Sequence, residues 1–135
     1  MSEAKEIVRR FNEDVIAGGN RTAFNELIAP NFINRSASPG APAGSESMWN
    51  TFENILRPAL EGLTVTIHDQ MEEGDKVTTR KTISGTHVGP LLGVEATGKT
   101  VSIDVIDIVR VVDGRYVEHW GINTLPALLA SLRQD

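Results

Sequence analysis

The sequence contains no cysteine, which excludes a disulfide framework and any chemistry that needs a thiolate. Aromatic residues make up only 5% of the chain, and no apolar run approaches the roughly 20 residues of a membrane-spanning helix. Basic residues are outnumbered, with 13 Lys and Arg against 18 Asp and Glu, so no cluster of positive charge favours nucleic acid. We therefore expect a soluble cytoplasmic protein with neither nucleic acid nor a membrane as a partner.

What is present is an ordinary globular composition, with 40% hydrophobic and 23% charged residues in a chain of 135. A chain of this length buries one core without disulfides or metal ions. The three histidines, at positions 68, 87 and 119, do not match the spacing of metal ligands. The sequence therefore predicts a single domain over residues 1–135 that uses no metal and no cofactor.

The first half of the sequence predicts helices. Apolar residues recur at three- and four-residue spacing over 7–16, and Gly18-Gly19 ends this stripe. A short second helix is expected between Asn20, which can cap it, and Pro30, which stops it. A polar, Pro-rich loop over 35–45 then precedes a third helix, and this loop is either the rim of a site or a disordered connector.

The second half changes to the two-residue period of strands. Alternating segments begin at Leu63, Lys76, Lys99 and Arg115, with short turns between them. This pattern predicts an antiparallel meander of four strands, followed by a short C-terminal helix. Helices first and a meander second indicate an α+β fold. We expect a cone-shaped barrel in which the N-terminal helices pack on a curved antiparallel sheet and enclose a pocket.

The hairpin around Asp113-Gly114 decides which side chains share a face. A two-residue turn would place Arg115 opposite Val112, whereas a three-residue loop with a glycine bulge would place it opposite Val111. One residue of slip moves every side chain to the other face. We expect the bulged loop, because Asp before Gly suits its type I turn and because this register sorts the polar groups better.

In that register two pairs of opposite charge form on opposite faces of the sheet. Arg110 neighbours Glu118 on one face, and Asp107 neighbours His119 on the other. We expect the face of Arg110 to be a wall of the pocket, and the Asp107–His119 pair to be structural or part of a subunit interface. The residues that share the face of Arg110 and Glu118 are Asp104, Ile106, Ile108, Trp120 and Thr124.

The Arg110–Glu118 pair has two interpretations that the sequence leaves open. In the first, Arg110 polarises a carbonyl or carboxylate, and Glu118 orients it or acts as a base if burial raises its pKa. In the second, the pair is a buried salt bridge that sets the register of two strands. The first interpretation predicts that Arg110→Ala abolishes ligand binding in a folded protein.

The remaining candidates also have two interpretations each. Trp120 is expected to be a core residue, and a platform for a ligand is the alternative. Thr124 is expected to be a helix cap, and a catalytic residue is the alternative. His87 is expected to hold a bend in the chain, and a place at the mouth of the cavity is the alternative.

A series of short motifs lies over residues 74–120, and the segments over 11–34 and 125–132 extend the pattern to nearly the whole chain. The motifs are Gly74-Asp75-Lys76-Val77, Arg80, Gly85-Thr86-His87 with Gly89, Thr97-Gly98-Lys99, Ile106-Asp107-Ile108 with Arg110, Asp113-Gly114, and Glu118-His119-Trp120. In their order and spacing the chain resembles the SnoaL-like polyketide cyclases, also called predicted ester cyclases. These belong to the nuclear-transport-factor-two-like, or ketosteroid-isomerase-like, superfamily.

The resemblance implies an α+β cone, commonly dimerised through the outer face of its sheet, with a cavity for a small, mostly apolar molecule. It also implies an intramolecular aldol reaction without metal or cofactor, in which an aspartate after the Trp is the acid/base and a histidine assists. At those positions this sequence has Thr124 and Arg110, and Arg35 stands where a histidine is frequent. We therefore expect the fold to transfer and the aldol mechanism not to.

The function expected is that of a cofactor-independent enzyme, a cyclase, isomerase or hydrolase of a small, mostly apolar carbonyl or ester compound. A non-catalytic pocket protein and a structural homodimer with a filled cavity are the alternatives. The expected catalytic residues are Arg110, Glu118 and Asp104. The expected pocket residues are Trp120, Thr124, Asn123, His87, Phe11, Trp49 and Ile108.

Overall fold

Helices cover one face of a five-stranded sheet in the computed structural model, which describes residues 3–134. The helices are α1 Glu3–Arg10, α2 Arg21–Leu27, α3 Ser45–Asn50, α4 Arg57–Ala59 and α5 Leu125–Arg133. The strands are β1 Ile28–Asn34, β2 Leu60–Glu73, β3 Lys76–His87, β4 Thr100–Val112 and β5 Arg115–Asn123. Met1, Ser2 and Asp135, which the predicted domain over 1–135 includes, lie outside the described residues.

Two helices change to wider π-helical turns where they pass over the sheet. α1 continues as a π-helical segment at Phe11–Ala17, and α3 continues as another at Thr51–Leu56. Asn20 caps α2 as predicted, because its side chain accepts the amide of Ala23 over 3.0 Å. No helix within residues 3–134 is long and apolar enough to cross a membrane.

The strand order is β1-β5-β4-β3-β2, in which β2 to β5 form the predicted antiparallel meander. The predicted α+β cone is confirmed, and its sheet does not close on itself. A fifth strand, β1, pairs parallel to β5, so the sheet is mixed. The sequence suggested a helix through Ile28, but the backbone turns extended there (φ −113°, ψ 136°). Pro30 is tolerated because β1 is an edge strand, where a missing N–H costs little.

The two faces of the meander differ sharply in burial. On β3, every second residue from Val77 to His87 is buried beneath the helices, and the residues between them are half-buried or exposed. The buried row of β3 pairs with the odd-numbered residues of β4, as in Ile83 with Ile103. This inner face carries the core, with Phe11 stacked on Tyr116 at 4.2 Å between ring centroids.

The β4–β5 hairpin has the two-residue turn, so the expected three-residue loop is wrong. Val112 pairs with Arg115, and Asp113 and Gly114 both have positive φ, 52° and 76°. These angles are those of a type I′ turn, whose twist matches that of the strands. A bulge at Val117 then shifts the register, so that Arg110 lies opposite Glu118. Because of this bulge, Arg110 and Glu118 share one face of the sheet and Asp107 and His119 share the other, as they would with the three-residue loop.

Candidate functional site

A cavity of about 380 Å³ lies between the helices and the inner face of the sheet. This volume falls within the about 300–1,000 Å³ typical of small-molecule sites. Both π-helical segments contribute to its walls, together with α3, the four strands β1, β3, β4 and β5, and the loop after β1. Its lining is mostly apolar and includes Phe11, Ile16, Phe52, Ile83, Ile103 and Val105. The cavity is therefore open to a guest molecule rather than filled by side chains.

Three ionisable side chains meet on the sheet wall of this cavity. Lys81 on β3, Asp107 on β4 and His119 on β5 project from the inner face. Oδ2 of Asp107 lies 3.3 Å from Nζ of Lys81 and 3.4 Å from Nε2 of His119. Lys81 and Asp107 are only 4% and 5% exposed. One carboxylate oxygen thus holds an ammonium and an imidazole together in an apolar surrounding.

Asn12 supports Lys81 from the helical side of the cavity. Its Oδ1 accepts a 2.6 Å hydrogen bond from Nζ of Lys81, and its Nδ2 donates to the carbonyl of Val8 over 2.8 Å. Asn12 is 1% exposed and lies in the π-helical segment Phe11–Ala17. Such π turns are frequent at functional sites, and this one directs an amide to the buried lysine.

The end of β1 supports His119 from the other side. Nδ1 of His119 lies 2.9 Å from Oδ1 of Asn34, and that oxygen also accepts the amide of Ser36 over 3.1 Å. The hydroxyl of Ser36 accepts the amide of Gly121 over 2.7 Å. Asn34 and Ser36 both line the cavity. The start of the loop over 35–45 is therefore a rim of the site.

Gly121 leaves the space in which Asp107 and His119 approach each other. A Cβ at this position would lie 2.9 Å from Cε1 of His119 and 3.3 Å from Cβ of Asp107. The first distance is shorter than side chains tolerate, so any larger residue would displace the imidazole. Gly121 also lines the cavity, where its lack of a side chain leaves the ring accessible.

The charges of the cluster determine how Asp107 ionises. Burial alone would raise the pKa of Asp107, but Lys81 and His119 outweigh burial and leave this pKa below its usual value. Its Oδ1 has no hydrogen-bond partner among the described residues. Burial raises the pKa of Tyr116, another lining residue, well above its usual value. At neutral pH the wall therefore holds an ionised carboxylate beside a neutral phenol.

The predicted Arg110–Glu118 pair exists, but it lies on the outer face of the sheet, away from the cavity. Nη1 of Arg110 is 3.3 Å from Oε1 of Glu118, and its Nε donates to Asp75 over 2.7 Å. Arg35 donates to Glu118 over 2.9 Å, and this bond lowers the pKa of Glu118 although desolvation opposes it. The geometry therefore corrects the expected placement of this pair and the expected rise in the pKa of Glu118.

The other residues expected on that wall follow Arg110 to the outer face. Asp104 is exposed and accepts the hydroxyl of Thr82 over 2.8 Å, while its amide donates to Oγ1 of Thr124. Asp104 and Thr124 border a second, more open groove of about 340 Å³. Nζ of Lys76 lies over the ring of Trp120 at 5.5 Å. Ile108 pairs with Trp120 on the same face.

Of the remaining expected pocket residues, Phe11 and Asn123 line the cavity, and His87 and Trp49 do not. His87 is fully buried, and its Nδ1 lies 3.0 Å from the hydroxyl of Thr97. Trp49 packs on Phe24 at 5.1 Å and stacks with two arginines instead. Asn123 additionally accepts the amide of Leu125 at the start of α5.

The sequence interpretation missed Lys81, Asn12, Asn34 and Ser36, and it placed the Asp107–His119 pair on the wrong side. The signal that could have corrected it lies in β3. One row of β3 carries only Lys, Thr, Arg and Ser between residues 76 and 86, which indicates the solvent face. Asp104 pairs with that row at Thr82, so its face is the outer one.

No group of three or more His, Cys, Asp or Glu side chains that could hold a metal ion occurs within residues 3–134. The ionisable side chains that line the cavity are one amine, one carboxylate, one imidazole and one phenol. Side chains of these types can transfer protons and stabilise developing charge.

Fold and site together define the class of protein, a small α+β cone with a ligand-sized cavity on the concave side of its sheet. A family model described as SnoaL-like polyketide cyclase matches residues 6–132, and the chain belongs to this family. It is similar to the aklanonic acid methyl ester cyclase DnrD of Streptomyces peucetius, with 36% identity over 63 residues. This alignment covers 47% of the chain and only 41% of that relative.

Solved structures resemble the chain over nearly its whole length. TsrD from Streptomyces laurentii matches with a TM-score of 0.84 and 28% identity, covering 96% of this chain and 94% of that chain. Wild-type IdmH from Streptomyces antibioticus matches with a TM-score of 0.83 and 27% identity, covering 98% of this chain and 99% of that chain. The α+β cone is therefore shared along the full described chain.

Proposed function

We propose that this protein is a cofactor-independent enzyme of the cyclase, isomerase or hydrolase type, acting on a small, mostly apolar carbonyl or ester compound. The observation that carries the proposal is the Lys81–Asp107–His119 cluster in the wall of an apolar cavity. The similarity to an aklanonic acid methyl ester cyclase supports a carbonyl or ester compound as the substrate. As part of the same proposal the enzyme works in the cytoplasm, since a cysteine-free chain needs no oxidising compartment.

In the proposed mechanism His119 transfers the proton and Asp107 holds the ring in place. His119 removes a proton from the carbon next to the substrate carbonyl, because an imidazole is the most frequent general base in enzyme sites. The electron pair moves onto the carbonyl oxygen and forms an enolate. Lys81 lies beside this position, and its ammonium stabilises the developing negative charge.

The enolate then has two outcomes. It attacks a second carbonyl carbon of the same molecule, which closes a ring and leaves an alkoxide that takes the proton back from His119. Alternatively the proton returns to another carbon, which isomerises the compound. Neither path requires an oxidant or reductant. In this proposal Arg110 and Glu118 belong to the outer-face network and do not touch the substrate.

Hydrogen exchange tests the proposal before any product is known. A panel of apolar ketones and esters, such as cyclohexanone and 2-tetralone, is incubated with the protein in heavy water and followed by NMR. We expect exchange of the hydrogens next to the carbonyl at rates about 10²- to 10⁴-fold above those with the Asp107→Asn variant. Binding of these compounds without any enzyme-dependent exchange would contradict the proposal.

A non-catalytic binding protein is the second candidate function. The lowered pKa of Asp107 favours it, because a carboxylate held by Lys81 and His119 is a weak base. Under this alternative the same compounds raise the melting temperature by mass action and are recovered unchanged. Thermal shift combined with the exchange experiment distinguishes the two functions.

We also propose that the protein forms a homodimer through the outer face of its sheet. Two isoleucines of that face, Ile106 and Ile122, are 46% and 72% exposed. Exposed apolar side chains set among polar ones are typical of contact surfaces. The cavity opens on the other side of the sheet, so dimerisation would leave it accessible.

A further inference from the structure

Lys81 differs from the other lysines of residues 3–134 in its surroundings. It is 4% exposed and lines the cavity, whereas Lys76 and Lys99 are exposed and Lys5 is half-buried. Its row on β3 is otherwise made of small or apolar side chains and the buried His87. Burying an ammonium is costly, and an apolar residue of similar length would fill the same space without that cost.

The neighbours of Lys81 provide what an amine needs to act as a nucleophile. Oδ2 of Asp107, 3.3 Å from Nζ, can take its proton, and Oδ1 of Asn12 at 2.6 Å fixes the direction of the amine. His119, bound to the same carboxylate oxygen, supplies an acid on the cavity side. A desolvated lysine beside a base is the arrangement that forms Schiff bases with carbonyl compounds.

We propose that Lys81 forms a covalent imine with an aldehyde or ketone bound in the cavity. The inference rests on the proposed function in requiring a carbonyl compound at this site, and it adds a covalent intermediate. It also narrows the substrate class, because esters and acids do not form imines by loss of water. Aldehydes and ketones with an apolar body are then the compounds that the cavity activates.

The step balances without any further reactant. Lys81 gives one ammonium proton to Asp107, and the lone pair of Nζ forms a bond to the carbonyl carbon while the carbonyl electrons move to oxygen. That oxygen takes the proton from Asp107. The nitrogen, which still carries two protons, gives one of them to Asp107 and so regains its lone pair. The oxygen then takes a second proton from His119 and leaves as water when this lone pair forms the C=N bond, which leaves Asp107 protonated and His119 neutral. The nitrogen keeps one proton, so an ammonium and a carbonyl become an iminium and one water. The iminium then acidifies the neighbouring C–H, whose proton returns to His119.

Borohydride trapping tests this inference on the full chain. The protein is incubated with cyclohexanone, reduced with sodium borohydride, and analysed by intact mass and peptide mapping. We expect one reduced cyclohexyl adduct, located at Lys81, with labelling about a hundredfold faster than at Lys76, as a positioned acid–base pair would give. Cyclohexanol, which fits the same cavity but has no carbonyl, should slow the labelling.

Two variants serve as matched controls. Lys81→Met keeps the length of the side chain and should lose the adduct, whereas Lys76→Met on the outer face should keep it. Mapping of the unaltered protein decides the question even if Lys81→Met fails to fold. Labelling of Lys76 or Lys99 as fast as Lys81, or no adduct at Lys81, overturns the inference. If cyclohexanone then still raises the melting temperature and exchanges its hydrogens, the proposed function stands without the imine.

Discussion

At the scale of single residues, Asp107 is the group on which the site depends. One of its oxygens serves both Lys81 and His119, so removing its charge leaves a buried ammonium without a counter-ion. Removal of one partner from a buried ion pair is strongly destabilising, whereas exposed pairs contribute little. The outer-face pairs of Arg110 and Arg35 belong to the second kind, because their side chains are 42% and 47% exposed.

Asp107→Asn is therefore expected to lower the free energy of unfolding at pH 7 by about 3 kcal/mol. Because the folded pKa of Asp107 is lowered, its contribution is present above the unfolded pKa of about 3.9. That contribution is lost as the pH falls through the folded value. Urea unfolding from pH 7 to pH 2 checks both statements, with the exposed Asp104→Asn as the control. A variant equal to the unaltered protein at pH 7 would contradict the assignment.

Gly121→Ala is a second residue-scale prediction. The added methyl would lie 2.9 Å from Cε1 of His119, so the ring must move away from Asp107. We expect a loss of about 1–3 kcal/mol in unfolding free energy, as for other overpacked sites, and changed NMR chemical shifts of the His119 ring protons. Gly44→Ala is the matched control, because nothing lies within 4 Å of a Cβ there. Unchanged chemical shifts of the His119 ring in the folded variant would show that the added methyl does not displace the ring.

Residue patterns revealed which side chains pair but not which face they occupy. Both pairs of opposite charge, Arg110 with Glu118 and Asp107 with His119, were predicted from the hairpin, and both form. The hairpin alone could not tell inside from outside, because each of its faces carries one pair and several apolar residues. The polar outer row of β3 provides that information, and it lies two strands from β5.

At the scale of elements, the two π-helical segments shape the cavity wall opposite the sheet. Asn12 in the first segment connects the carbonyl of Val8 to the ammonium of Lys81. Asn12→Ala is expected to cost about 1–3 kcal/mol, because it removes one hydrogen-bond acceptor from the buried ammonium of Lys81 and the side-chain donor to the carbonyl of Val8. Chemical denaturation measures this cost, with Asn25→Ala on the exposed face of α2 as the control. Equal stability of the two variants would contradict a role for Asn12 in the buried network.

Helices were more predictable than the edge strand. Apolar spacing over 7–16, the Asn20 cap and the change of period near Leu63 indicate elements that the structure contains. β1 was missed because Pro30 and Asn31 interrupt any alternation, and its pairing with β5 is a contact between distant parts of the chain. Sequence periodicity reports local burial and carries no information about such a parallel partner.

At the scale of the whole molecule, the sheet separates a cavity for chemistry from a face suited to association. Ile122→Asp on the outer face is expected to shift the protein from dimer to monomer in analytical ultracentrifugation, because a charge would enter a desolvated interface. Val88→Asp, an equally drastic change at a 47% exposed residue of the loop after β3, is the control. A monomeric unaltered protein at high concentration would contradict the proposed dimer.

The central claim is that the chemistry takes place on the inner face of the sheet and not on the outer face. Two adjacent residues test it. His119 and Glu118 follow one another on β5 but project to opposite sides of the sheet. The measurement is the enzyme-dependent rate of hydrogen exchange at the carbon next to the carbonyl, for the His119→Gln and Glu118→Gln variants on one ketone. A fall of about 10²- to 10⁴-fold for His119→Gln, with Glu118→Gln unchanged, is the predicted result. The opposite order, with Glu118→Gln inactive and His119→Gln active, would place the chemistry on the outer face and contradict the account.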